Sequence, residues 1–260
     1  MKLFNDIFLG FKKKSLWIEL AKLDLKSNFQ GSFFGVLWVV LTLMIKVGML
    51  SVIYSMVLNK DFKSYVLFLA LGVLTWSFIS SVIVSSAMIF RKAANFMLQM
   101  RLEHSIFVFQ SIYRETLILV LYQLFVIPLV FIIRGEEMIS WMWSWVFLGY
   151  LIIILIGFFA SFWIGWLATR YRDVQPMLTS IITILFLITP VLWPPPENFA
   201  NSLYFQLNPF YHLLELIRSP IINGVVPLTS WLVALGLLIL NVLISIIFYS
   251  KVKNRLVLWL

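Results

Sequence analysis

The sequence predicts an all-α integral membrane protein with six transmembrane helices, an amphipathic interfacial helix at the N-terminus, and a re-entrant helical hairpin between spans five and six. Three observations predict it. The 260 residues are 62% hydrophobic and 12% charged, with a mean hydropathy of +0.99, too apolar for a soluble domain of this size. Charge-free runs cover 65 to 90, 116 to 133, 138 to 169, 174 to 196 and 219 to 250, and 31 to 59 is broken only by Lys46; about 20 apolar residues carry a helix across the hydrocarbon. The alternating segments of about ten residues that mark a membrane β-barrel are absent.

The chain is expected to form one transmembrane domain over 1–260, because no non-spanning segment is long enough for a domain of its own. Residues 1–30 lack the order of a signal peptide and are expected to be retained. Phe4, Ile7, Phe8, Phe11, Leu16, Ile18, Leu20, Leu23 and Leu25 mingle there with lysines, the pattern of a helix lying on a membrane surface. Spans are expected near 33 to 58, 65 to 90, 112 to 133, 145 to 168, 175 to 193 and 229 to 249. Lys and Arg then divide 15 to 4 between the two sides, with Lys46 between them, so the positive-inside rule puts both termini in the cytoplasm. Anionic headgroups account for the net charge of +9 without a nucleic acid. Lys12, Lys13, Lys14 and Lys26 are the expected headgroup contacts, and a lipid pyrophosphate would suit them too.

The first inner loop, 91–104, holds helix formers from Ala93 to Met100 between Arg91, Lys92, Arg101 and Glu103, which predicts a short helix on the cytoplasmic face. The second, TRYRDVQP at 169 to 176, sets Asp173 where it can cap span five. On the outer side, Pro194, Pro195 and Pro196 are expected to end that span. Two short apolar pieces follow, Phe199 to Leu207 and Tyr211 to Arg218; each is too short to cross and too apolar for water, hence the re-entrant hairpin. A cap resting on the outer surface is the rival reading.

The chemistry is defined by what is missing. There is no G-x-x-x-x-G-K-[ST] to cradle ATP phosphates. His104 and His212 fall on opposite sides of the membrane and cannot share a metal, and with no cysteine there is neither disulfide nor thiolate site. The carboxylates lie in or beside the expected loops, which disfavours ion-coupled transport. Lys46 stands apart: a mid-span ammonium costs about 2.5 to 3.5 kcal/mol on insertion scales. It either snorkels or faces a polar pathway.

NFQGSFFGVLW at the start of span one, RYRDVQP before span five, TPVLWPPP at its end and NPFYHLLELIRSPI after it resemble the transmembrane subunit of type-2 ATP-binding cassette exporters, specifically those that export lipid-linked polysaccharides such as O-antigen. The resemblance runs in order over essentially the whole chain. It implies a homodimer in the bacterial inner membrane with two separate ATPase subunits beneath; ATP and magnesium bind those partners, and this chain carries no cofactor and no catalytic site. It further implies that Arg91, Lys92, Asn95, Phe96, Met100, Arg101 and Glu103 contact the ATPase as a coupling helix, and that gate helices over 197–227 include Phe199, Tyr204, Pro209, Tyr211 and Arg218. Two departures stand out: no Pro follows Leu41-Thr42, and Leu102-Glu103 replaces the familiar Phe-Pro.

A polymer path between two copies of spans one and five calls for surfaces that hold sugars without trapping them, and aromatic faces do so. Phe34, Trp38, Tyr54, Phe186 and Trp193, with Lys46, are the candidates; packing against lipid is the competing reading for each ring. Teichoic acid, capsule, and small lipids or drugs are alternative passengers. A membrane enzyme acting on polyprenyl lipids would need acid and base groups clustered at one face, which the sequence does not offer.

Overall fold

The computed structural model describes residues 2–100, 102–135, 141–195, 202–252, 256 and 259, and among them every regular element is helical. In order these are α1 (Lys2–Lys12), α2 (Lys14–Asn28), α3 (Leu37–Val57), α4 (Phe62–Ser86), α5 (Ile89–Lys92), α6 (Ala94–Gln99), α7 (His104–Arg134), α8 (Met142–Arg170), α9 (Val174–Ile188), α10 (Leu203–Gln206), α11 (Pro209–Ile222) and α12 (Leu228–Val252). Five of them, α3, α4, α7, α8 and α12, are long and apolar enough to cross a membrane. The sixth apolar helix, α9, has 15 residues. At 1.5 Å per residue it reaches about 22 Å, short of a hydrocarbon layer about 30 Å thick.

Helix α4 is the axis of the bundle, packed against α3, α7, α8, α9 and α11 and buried over most of its length. Close approach of α8 to α4 rests on small residues four apart. A Cβ at Gly157 would stand 2.8 Å from a methyl of Val82, and one turn on the Ser161 hydroxyl meets that of Ser86 at 2.7 Å. Without a hydrophobic drive between helices in lipid, contact area and such hydrogen bonds hold them together. Helices α3, α9 and α12 lie outside, with exposed apolar faces.

Most expected span ends fall within about four residues of the helix ends, and two move further. Span five ends at Ile188, ahead of Pro194, because Pro190 forces its predecessor out of helical geometry: Thr189 has φ −76° and ψ 139°. Span three begins at His104 rather than near 112 because α2 lies along its first turns, with Trp17 stacked on Phe109 and at the edge of Tyr113. That extension sets Glu115 inside an apolar helix at 4% exposure, against the expectation that the carboxylates stay near loops. It is no free relay: Arg114 holds it at 2.5 Å, the Ser81 hydroxyl donates to it at 2.5 Å, and Arg114 reaches Asp24 of α2 at 3.0 Å.

The N-terminal segment is two helices broken at Lys13. On α1, Leu3, Asp6 and Gly10 are buried while Phe4, Phe8 and Phe11 stay exposed. Asp6 accepts the Ser105 N–H at 2.9 Å and the His104 N–H at 3.3 Å, neutralising the free donors that open α7. It also accepts the Tyr249 hydroxyl at 3.0 Å. One carboxylate thus ties α1, α7 and α12 at the end of the bundle that carries the N-terminal helices, here called the basic end. His104 lies at that end and His212, bonded to Ser230 of α12, at the far end. Residues 196–201, including Pro196 and Phe199, fall outside the described residues, as does Arg101.

Candidate functional site

Three groups of side chains carry chemistry. At the basic end, Met97 anchors α6, while Lys92, Asn95, Phe96, Leu98 and Met100 point outward. Arg91 and Glu103 are engaged within the chain. Arg91 donates to the Gln175 side-chain oxygen at 2.9 Å, tying α5 to the first turn of α9. Glu103 pairs with Lys13 at 2.7 Å; partial burial raises its proton affinity, but the Lys13 ammonium outweighs this and holds its carboxyl below the ordinary range. Behind α6 is a cavity of about 380 Å³, lined among others by Asp24, Lys92, Phe96, Gln110 and Arg114. Lys12, Lys14 and Lys26 are exposed, Lys12 over the Phe8 ring. Asp173 sits at the start of α9 with helical backbone angles, φ −73° and ψ −14°, and makes no capping hydrogen bond, because a cap needs extended geometry there.

The second group lies on α3 and α9, which approach each other at Lys46 and Phe186. Lys46 is exposed on α3, its ammonium 5.4 Å from the centre of the Phe186 ring on α9. Phe34 and Trp38 stack at 5.6 Å near the start of α3, Phe34 lying ahead of the helix. Trp38, Thr42 and Lys46 share one side of α3; Tyr54 falls about 160° from Trp38 and packs half-buried on the core, away from the other candidates. Helix α9 presents Gln175, Thr179, Thr183 and Phe186 within an arc of about 80°. Each threonine hydroxyl donates to the carbonyl four residues back, Thr179 at 3.1 Å and Thr183 at 2.9 Å, as does Thr42 at 2.8 Å. Their remaining lone pairs face outward as acceptors. The four-residue spacing of Gln175, Thr179 and Thr183 is the signal in the sequence that marks this polar row.

At the far end the third group surrounds residues 189 to 195, which are not helical. Backbone freed from helix at this depth must find partners in protein, and it does. Tyr204 donates to the Ile188 carbonyl at 2.6 Å, Arg218 to those of Pro190 at 2.6 Å and Val191 at 2.7 Å, and Tyr65 to that of Leu192. Asn208 joins the Thr189 hydroxyl at 3.1 Å while its own oxygen caps α11, whose first residue is Pro209. The Arg218 guanidinium, 2% exposed, lies 3.7 Å from the centre of the Phe68 ring. Gly72 makes room for it: a Cβ there would stand 1.8 Å from a guanidinium nitrogen. Trp193 packs on Phe205, which also meets Tyr211, so this ring belongs to the far-end group and not to the Lys46 face. Tyr65, Phe68 and Gly72 lie over a hundred residues from their partners, and nothing local in the sequence marks them.

These features define a class: a multi-pass helical membrane protein with an exposed polar seam, a helical segment turned outward at the basic end and a side-chain-locked break at the far end. No family model matches the chain. It is similar to the O-antigen export system permease protein RfbA of Myxococcus xanthus, 22% identical over 215 residues covering 80% of this chain and 81% of that protein. It is also similar to two proteins of the same name from Klebsiella pneumoniae, each 23% identical over 250 residues covering 92% of this chain and 93% of theirs. These relatives bear out the resemblance to the transmembrane subunits of type-2 exporters of the O-antigen class.

Proposed function

We propose that the chain is the transmembrane subunit of an ATP-driven exporter that moves a lipid-linked polysaccharide across the bacterial inner membrane, both termini in the cytoplasm. Two copies face each other with two ATPase subunits beneath, which bind ATP and magnesium. Helix α9 and residues 189 to 195 together make the fifth of six crossings, and α10 with α11 forms the outer hairpin. The observation that carries this reading is the α3–α9 face, where Lys46, Thr42, Thr179, Thr183 and Phe186 give an otherwise apolar surface a polar seam. Lone pairs, one cation and a flat ring suit a hydroxyl-rich polymer, and a second copy would turn the seam into a conduit.

Force enters at α6. The ATPase grips Asn95, Phe96 and Met100, α6 moves into the cavity behind it, and Arg91 passes the shift to Gln175 and so to α9. The chain itself performs no chemistry. The test is purification with a tag on this chain followed by reconstitution: an ATPase subunit co-purifies, and lipid-linked polysaccharide enters vesicles only with ATP. Translocation without the ATPase, or its failure to co-purify, overturns the reading.

A further inference from the structure

We infer that Arg218 is a two-position latch on the far end of α9, with Glu215 as its second seat. The inference rests on the exporter reading for its purpose and on geometry for its existence. In the seat observed, the guanidinium holds the Pro190 and Val191 carbonyls, its plane over Phe68 and its space kept by Gly72. Two groups are left over. The Arg218 Nε–H is buried with no hydrogen-bond partner among the described residues. Glu215, one turn earlier on α11 and half-buried, already attracts the guanidinium through its charge, yet among the described residues no hydrogen bond or ion pair at contact distance reaches its carboxylate. Residues three apart on a helix are neighbours, so a change of rotamer brings the two together.

Release of the carbonyls alone would strand a buried cation, and a buried charge without a partner is strongly disfavoured. Glu215 supplies that partner within the same helix, so the guanidinium moves from a backbone site on α9 to a carboxylate on α11 without entering lipid bare. The first seat fixes the non-helical end of α9 to α11. The second removes two of its ties and leaves those from Tyr65, Tyr204 and Asn208, so the end of α9 is loosened under the pull applied through Arg91.

Amide exchange at Val191, Leu192 and Trp193 tests the latch in the purified chain and in its complex with the ATPase. At rest these amides exchange slowly in the wild type; Gly72→Ala, which displaces the guanidinium while leaving every charge in place, speeds them about tenfold or more. Should Gly72→Ala fail to fold, Arg218→Lys carries the same test, because an ammonium cannot hold both carbonyls as a fork does. ATP speeds exchange in the wild-type complex and leaves Glu215→Gln slow. Unchanged exchange in Gly72→Ala or Arg218→Lys, or an ATP response in Glu215→Gln equal to wild type, overturns the latch. The resting measurement needs neither partner nor cargo, so it decides the lock even if the exporter reading fails.

Discussion

Lys46 and the Glu103–Lys13 pair show how differently single charges behave at two depths. An exposed mid-span ammonium against Phe186 has no carboxylate paired with it among the described residues, so its stabilisation comes from the ring and from what occupies the seam. Lys46→Met is expected to lower ATP-dependent translocation about tenfold while ATPase subunits still co-purify, and Lys46→Arg to retain most of it; wild-type transport by Lys46→Met would remove the lysine from the path. Glu103 sits in a wetter place. Its carboxyl is held below the ordinary value of 4.5, so its pairing with Lys13 is fully present above that pH and is lost as pH falls through the lower folded value. Proteolysis at the exposed Lys12–Lys14 junction should therefore rise on acidification below that value, and Lys13→Met should make it insensitive to pH there.

Individual helices explain which parts of the fold were legible. The apolar runs announced α3, α4, α7, α8, α9 and α12, because a bilayer demands length and apolarity and the sequence displays both. Their ends were set by tertiary events: α7 starts early where Trp17 and Asp24 of α2 cover it, and α9 stops early where Pro190 disturbs Thr189. Of the candidate site, Lys46 stood out as a lone cation in an apolar run, while Arg218 was marked only as part of the outer gate that the resemblance implies. Tyr65 was invisible because its partner, Leu192, is 127 positions away. Small residues were equally silent until their neighbours were known. Gly157→Leu drives a side chain into Val82 and should cost about 1–3 kcal/mol, read as a lower denaturation midpoint in detergent. Cutting the tie between α5 and α9 with Gln175→Leu should leave ATP hydrolysis by the complex intact but uncouple it from translocation; coupled transport in that variant would reroute the force.

Taken as a whole, the molecule buries α4 and leaves α3, α9 and α12 apolar and exposed, a perimeter that suits lipid and, in the proposed dimer, a second copy. Fluorescent tags at either terminus should report the same side of the membrane, since Asp6 of α1 and Tyr249 of α12 touch; opposite sides would break the proposed topology. The same contact bears on how the chain is made. Asp6 meets Tyr249 only after 243 further residues have left the ribosome, a wait of about 12 to 50 s at 5–20 residues per second. During that interval the first helix can be steadied by the start of α7 alone. Helix α1 is thus made long before its tie to α12 can form.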